Sequence, residues 1–492
     1  MTRILPLILA ATLASGAAAK KPNILFFAVD DLRPEIACFG ASHIKSPNLD
    51  RMAARGTAFL NAHCQQAVCS PSRSSLMTGL RPDSTKVWDL ETHFRSAVPD
   101  VVTLPQNFIK HGYHAVSMGK IYHGGFDDKP SWSEPALKPA GGSRYVRQEN
   151  LDMIDRKSKA AKGKGLTGTK QSRAARGPAT ECADVPDEKY TDGAIANLAV
   201  ETLGRLKGGD QPFFLAVGFA NPHLPFNSPQ KYWDLYQREE IALAANPFLP
   251  KNAPPFAIAA DSGEIRVYEG IPKSGPIPDA QARELKHGYY AAVSFIDACV
   301  GKVLDELDRL GLADNTIVVL WGDHGWKLGE HAAWCKHSNV RRDTNAPLIV
   351  SAPGQKSPGA KSKAAVEFVD IYPALCDLAG IDKPAHLEGD SFAPLLDNPQ
   401  LEWKRAAFSQ YPRGNVMGYS LCADGFRYTA WVDRKQADKV VATELYDHTK
   451  DPQENENVID KPEYAAVVKK LAAWHGEGWQ GTREALRKKL SL

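Results

Sequence analysis

Asn23-Ile24-Leu25-Phe26-Phe27-Ala28-Val29-Asp30-Asp31 is a short apolar run that ends on two adjacent carboxylates. A run of this length with Ile, Val and Phe, and no polar alternation, predicts a strand buried on both faces. Three later runs share the form. Residues 114–118 end at Gly119-Lys120, residues 213–219 end near Asn221-Pro222-His223, and residues 316–321 end at Gly322-Asp323-His324-Gly325. Helical patterns lie between them, over residues 49–54, 194–206 and 280–310. Strands alternating with helices predict an α/β fold, a mostly parallel sheet covered on both faces. In such sheets ligands bind outside the carboxyl ends of the strands. Four separate runs deliver Asp, Lys or His to that end, which packing alone does not explain.

The bulk composition narrows the field. The 492 residues carry a formal charge of +3, with 43% hydrophobic and 24% charged residues. This is ordinary globular composition, and the near-neutral balance gives no global field for nucleic acid. At the N-terminus, Arg3, an apolar stretch over residues 4–14 and Ala17-Ala18-Ala19 read as a cleavable export signal spanning residues 1–19. The stretch is too short to span a bilayer, and residues 17–21 contain no Cys for a lipid anchor. The expectation is an exported protein, periplasmic or secreted, without a membrane anchor. The eight cysteines are scattered with no Cys-x-x-Cys spacing, so most read as buried small hydrophobes.

Residues 20–395 read as one large catalytic unit and residues 396–492 as a smaller one. Within the first, residues 130–185 lack periodicity and look inserted. Arg156 to Arg176 holds eight Lys or Arg residues and no acid. Two readings stay open there: a solvated, mobile loop, or a basic lip that attracts a polyanion. Residues 245–280, rich in Pro and Gly, read as a surface loop. In the second unit, residues 416–432 alternate like two antiparallel strands broken at Gly425, and residues 462–474 read as an amphipathic helix.

The chemistry concentrates around Cys69-Ser70-Pro71-Ser72-Arg73. Pro is tolerated where a helix begins, so Pro71 predicts a helix over residues 72–80. Its free N–H groups and positive dipole end would face an oxyanion near Cys69. Arg73, one turn on, could hydrogen-bond the residue-69 side chain. Asp30 and Asp31 form one polar pair and Asp323 and His324 another. Buried acids at adjacent strand ends need a cation or protons to offset them, and a hard divalent metal fits. Lys120, His123, His223 and Lys336 add cations and proton carriers.

The Cys-x-Pro-x-Arg pentapeptide resembles the site that formylglycine-generating systems recognise in type I sulfatases. The likeness extends over Val29-Asp30-Asp31-Leu32-Arg33-Pro34, Gln66-Ala67-Val68-Cys69, Gly119-Lys120 with His123, and the run at residues 213–218 leading to His223. It continues through Gly325-Trp326, Leu328-Gly329-Glu330-His331, Lys336, Ser409-Gln410-Tyr411-Pro412-Arg413 and Met417-Gly418-Tyr419-Ser420. Within the family it is most similar to iduronate-2-sulfatases and their bacterial relatives.

The resemblance implies an alkaline-phosphatase-like sulfatase fold with a smaller C-terminal α+β subdomain built on an antiparallel sheet. It implies a sulfuric ester hydrolase acting on a sulfated oligosaccharide or polysaccharide, with a 2-sulfated uronate as the family's substrate. It implies that a maturation enzyme converts Cys69 to formylglycine (3-oxoalanine), and that turnover passes through a covalent sulfo-enzyme. Carried over by position, Asp30, Asp31, Cys69, Asp323 and His324 would hold one divalent metal, Ca²⁺ by family expectation. Cys69, Arg73, Lys120, His123, His223 and Lys336 would form the catalytic and sulfate-binding set.

There are departures. His324 stands where many sulfatases have Asn, which leaves Mg²⁺ or Mn²⁺ open. The basic run, the residues 88–95 and the absence of a disulfide partner for Cys182 also differ from the family pattern. Two other readings remain: a phosphonate or phosphate monoester hydrolase of the wider superfamily, and an inactive protein that captures sulfated glycans.

Overall fold

The computed structural model describes residues 20–260 and 263–490, so the export signal expected at residues 1–19 lies outside the described residues. Strand Asn23–Asp30 runs through the middle of a seven-stranded sheet. Thr316–Gly322 and Phe213–Pro222 flank it, both parallel, and His114–Gly119 follows parallel at one edge. The four runs read from the sequence are thus four consecutive strands. On the other side lie Leu348–Ser351, antiparallel to its neighbours, then Thr57–Phe59 and Ala360–Ser362.

The two faces of the sheet sort side chains by parity, as a strand's period of two requires. Leu25, Phe27 and Val29 enter one core, with helices Pro47–Arg55, Thr191–Lys207 and Asp279–Arg309. Ile24, Phe26 and Ala28 enter the other, with Cys69–Thr78, Leu104–Lys110 and Ile371–Ala379. Each fully buried Leu, Ile, Val or Phe among them contributes about 1.5–3 kcal/mol relative to exposure. Being buried on both faces is why the strand reads as an unbroken apolar run.

A second sheet of four antiparallel strands, Ala407–Arg413, Val416–Ala423, Phe426–Asp433 and Gln436–Asp447, carries its own small core. The hairpin at Gly425 is as expected: Asp424 and Gly425 both have positive φ (51° and 80°), the twist that a two-residue turn needs. The last helix is longer than the sequence pattern indicates. It runs Ala465–Leu490, broken at Gly478 (φ 66°). Leu471 packs under the second sheet, while Leu486 returns to the core of the first. The glycines at 476, 478 and 481 hide this continuation.

Two loop expectations are corrected. The basic run is largely helical, Gln148–Gly163 and Gly168–Ala174. The Lys, Gln, Glu and Ala residues of these two helices are good helix formers that need no apolar stripe, and Asp155–Lys159 adds an i,i+4 pair. Residues 245–280 are not wholly surface. Ile258, Ile265, Tyr268, Ile271 and Ile277 are buried, and Gly263–Arg266 forms one helical turn. Among the described residues no helix is long and apolar enough to cross a membrane. None of the eight cysteines is in a disulfide.

Candidate functional site

Asp30 ends its strand and Asp31 turns the chain with φ 58°. Successive strand side chains point to opposite faces. The left-handed turn breaks that alternation, and both carboxylates reach the same place. Asp31 N–H donates to Asp323 Oδ1 at 3.0 Å, locking the two strand ends together. The four polar residues there, Asp30, Asp31, Asp323 and His324, are all at most 1% exposed.

Cys69 is the first residue of helix Cys69–Thr78, three residues before the start expected at residue 72. Pro71 sits inside the first turn, where its missing N–H costs nothing. The dipole's positive end therefore falls at residue 69 itself. Cys69 Sγ lies 3.4 Å from Asp30 Oδ1 and 3.3 Å from His324 Nε2. Burial first, and then the Asp30 carboxylate, push the thiol well above its ordinary pKa. These surroundings disfavour a thiolate, the form in which an unmodified cysteine would be nucleophilic.

Ligand atoms of Asp30, Cys69, Asp323 and His324 lie within 4.8 Å of one another, as do those of Asp30, Asp31, Cys69 and His223. Three buried carboxylates and one imidazole fit a hard divalent cation. Burial pushes Asp31 up to about 7, against the pull of Lys336 and with the push of Asp30. That is the behaviour of a carboxylate in a cluster short of positive charge.

Arg73 is fully buried and its guanidinium is shared out. Nε donates to Asp323 Oδ2 at 2.9 Å, Nη2 to Asp30 Oδ1 at 3.1 Å, and Nη1 to the carbonyls of Lys120 and Ile121. It braces the carboxylates rather than hydrogen-bonding residue 69. Lys120 pairs with the other oxygen of Asp30. Its position depends on Gly218, where an added Cβ would lie 2.4 Å from the Lys120 backbone.

Lys336 Nζ donates to Asp31 at 3.0 and 3.1 Å and sits 4.8 Å over the Trp326 ring. Burial would lower its pKa, but Asp31 and Glu264 hold it well above the ordinary value. His223 lies between two cis prolyl bonds, Asn221-Pro222 and Leu224-Pro225. Its Nε2 is 2.9 Å from Glu264 Oε1 and 3.9 Å from Asp31 Oδ2, and Arg144 reaches its Nδ1 at 3.3 Å. Burial, and then Lys120, push His123 down to about 4, so it is a neutral imidazole at neutral pH.

The structure thus gathers the strand-end and helix-start residues singled out in the sequence around one centre. It adds residues that sequence reasoning missed. Glu264 comes from the Pro/Gly-rich loop and pairs with Lys336, His223 and His337. His337 (φ 83°) hydrogen-bonds Tyr411 Oη at 2.9 Å, and Arg413 pairs with the His337 carbonyl, so the second sheet reaches the rim. No periodicity or motif marks Glu264. Tyr411 and Arg413 lay within a stretch already quoted for its family likeness, but without a role.

A family model described as "Sulfatase" matches residues 22–381, and one described as "N-sulphoglucosamine sulphohydrolase, C-terminal" matches residues 329–475. Iduronate 2-sulfatase of Homo sapiens is 34% identical, over 89% of this chain and 91% of that protein. Among solved structures, BT4656 bound to its substrate D-glucosamine-2-N,6-O-disulfate superposes with TM-score 0.74 at 21% identity, covering 94% of this chain and 99% of that one. The phosphonate monoester hydrolase of Agrobacterium radiobacter gives TM-score 0.69 at 22% identity, covering 92% and 94%. At those identities the two structures speak for the fold.

Proposed function

The chain belongs to the sulfatase family and is a sulfuric ester hydrolase, and we propose that it removes sulfate from a sulfated carbohydrate, specifically a 2-sulfated uronate at a non-reducing end. The observation that carries this reading is the convergence of Cys69, Arg73, Lys120, His223 and Lys336 on the carboxylate cluster. The uronate assignment draws on the likeness to iduronate 2-sulfatase along nearly the whole chain.

Asp30, Asp31, Asp323, His324 and residue 69 would hold one divalent cation, which would supply positive charge to the sulfuryl oxygens. Cys69, converted to formylglycine by a maturation enzyme, would supply a hydrated aldehyde as nucleophile; its Sγ marks where that group stands. The remaining work falls to the chain's own side chains. Arg73 keeps Asp30 and Asp323 at fixed separation. Lys120, just past a strand end, and Lys336, on the loop that follows the turn Glu330–Ala332, stabilise charge that grows on the sulfuryl oxygens. His223 or Lys336 delivers a proton to the departing alcohol oxygen. His123, neutral at neutral pH, accepts a proton from residue 69. Residues 1–19 would direct export to the periplasm or beyond, and sequencing the mature N-terminus checks that.

The test is sulfate release from a panel of defined sulfated oligosaccharides, using protein whose residue-69 peptide mass shows conversion. Release from 2-sulfated uronates at the non-reducing end is expected. Full turnover by Cys69→Ser, or faster hydrolysis of aryl phosphates than of aryl sulfates, overturns the reading.

A further inference from the structure

Glu264 places a fourth carboxylate at the site, outside the metal-donor set. One oxygen lies 2.9 Å from His223 Nε2 and 3.0 Å from Lys336 Nζ. The other lies 3.0 Å from Lys336 Nζ and 3.4 Å from His337 Nε2. The helical turn that carries it is anchored by Ile265, 1% exposed. Burial alone would raise the Glu264 carboxyl, but Lys336, His223 and His337 hold it well below the usual range. A negative charge therefore sits on two of the groups assigned to the sulfuryl oxygens and the leaving group.

We propose that Glu264 is a specificity residue that selects substrates by charge, admitting the single negative charge of a sulfate ester and rejecting the second charge of a phosphate monoester. The proposal rests on the sulfatase reading above. Sulfate esters and phosphate monoesters share tetrahedral shape and differ chiefly in charge, the phosphate losing its second proton near about pH 6. A site of metal, Arg and Lys alone would favour the dianion. Here Lys336 and His223 are already shared with a fixed carboxylate. The extra phosphoryl charge meets partly neutralised cations and a like charge close by. Placing a like charge against the wrong ligand is a general route to discrimination.

Glu264→Gln keeps the shape and removes the charge. Three substrates decide the matter at pH 8: an aryl sulfate, an aryl phosphate and a monoanionic aryl phosphodiester. We expect kcat/KM for phosphate relative to sulfate to rise on the order of tenfold in E264Q. The diester-to-sulfate ratio should stay where it was, and Glu264→Asp, which keeps the charge, should keep all wild-type ratios. A thermal unfolding midpoint reports on folding, and Glu264→Ser serves for the same ratios if E264Q does not fold. A uniform change for all three substrates, down or up, overturns the proposal alone, since it marks a structural brace or a plug. A wild-type enzyme inert on aryl sulfate overturns the sulfatase reading and the proposal with it.

Discussion

Arg73 Nε lies 2.9 Å from Asp323 Oδ2, and both side chains are wholly buried. With its other arm on Asp30, this one guanidinium ties the ends of two adjacent strands together. Arg73→Lys replaces a fork of fixed donors with a point charge that cannot serve four acceptors. We expect kcat/KM to fall by at least about 10²-fold in R73K, as when a group fixing transition-state charge is displaced. Arg73→Ala should also destabilise the fold by about 3–5 kcal/mol, the cost of leaving buried partners uncompensated. Steady-state kinetics and urea denaturation of both variants measure the two effects.

The donor set makes a prediction about metal. Three carboxylates and one imidazole, all buried, lose their compensation when a bound cation is removed. Chelator treatment should abolish activity and lower the thermal midpoint, and back-titration with Ca²⁺, Mg²⁺ or Mn²⁺ should restore both. His324→Asn exchanges a nitrogen ligand for an oxygen and should shift the preference of the restored enzyme toward Ca²⁺. An enzyme that keeps full activity and stability in chelator would contradict the assignment.

Much of this centre was legible because it sits at the ends of regular strands. A strand buried on both faces announces itself as an apolar run, and the first polar residues after it must lie at the sheet's carboxyl edge. Asp30, Lys120, His223 and Asp323 were readable for that reason. Glu264 was not. Its approach depends on Ile265 and its buried neighbours docking a loop without periodicity, a tertiary effect with no local signature. Arg73 was readable as a residue but not by its partners, since the earlier helix start turns its guanidinium toward the carboxylates. The helix Gln148–Gly163 escaped because its stability lies in backbone propensity, which an apolar stripe does not report.

Acid should weaken the fold through a network beside the site. Arg33 pairs with Glu35 at 2.8 Å and with Glu330 at 2.9 Å. Burial would raise Glu35, but Arg33, and then a hydrogen bond from His43, draw it down from 4.5 to about 2. Glu330 and Glu454 are likewise held below the usual range, by Arg33 and Arg427 respectively, against their burial. A carboxyl depressed in the folded state contributes stability that is complete above its unfolded pKa and is lost as pH falls through the folded one. For Glu35 the window is about 4.5 down to 2, with a contribution on the order of 3 kcal/mol. Urea midpoints should fall steeply below about pH 4.5. Arg33→Met should be less stable at pH 7 and show a shallower decline, because the carboxyls it leaves behind are no longer depressed.

Gly218 tests whether Lys120 works by position. Its Cβ, if present, would lie 2.4 Å from the Lys120 carbonyl carbon and oxygen, and 2.6 Å from its nitrogen. None of these is a flexible side-chain end, so the backbone carrying Lys120 must move. Gly218→Ala therefore displaces a cation that pairs with Asp30 without removing any charge. A shift of about 1 Å at such a group costs on the order of 10²-fold in rate. Gly204 is the control. It lies on an exposed position of helix Thr191–Lys207, where an added Cβ meets nothing within 4 Å. Gly204→Ala should leave kcat and KM unchanged and stabilise the protein by roughly 0.5–1 kcal/mol through helix propensity. Equal activity in the two variants would mean that the placement of Lys120 is not critical to turnover.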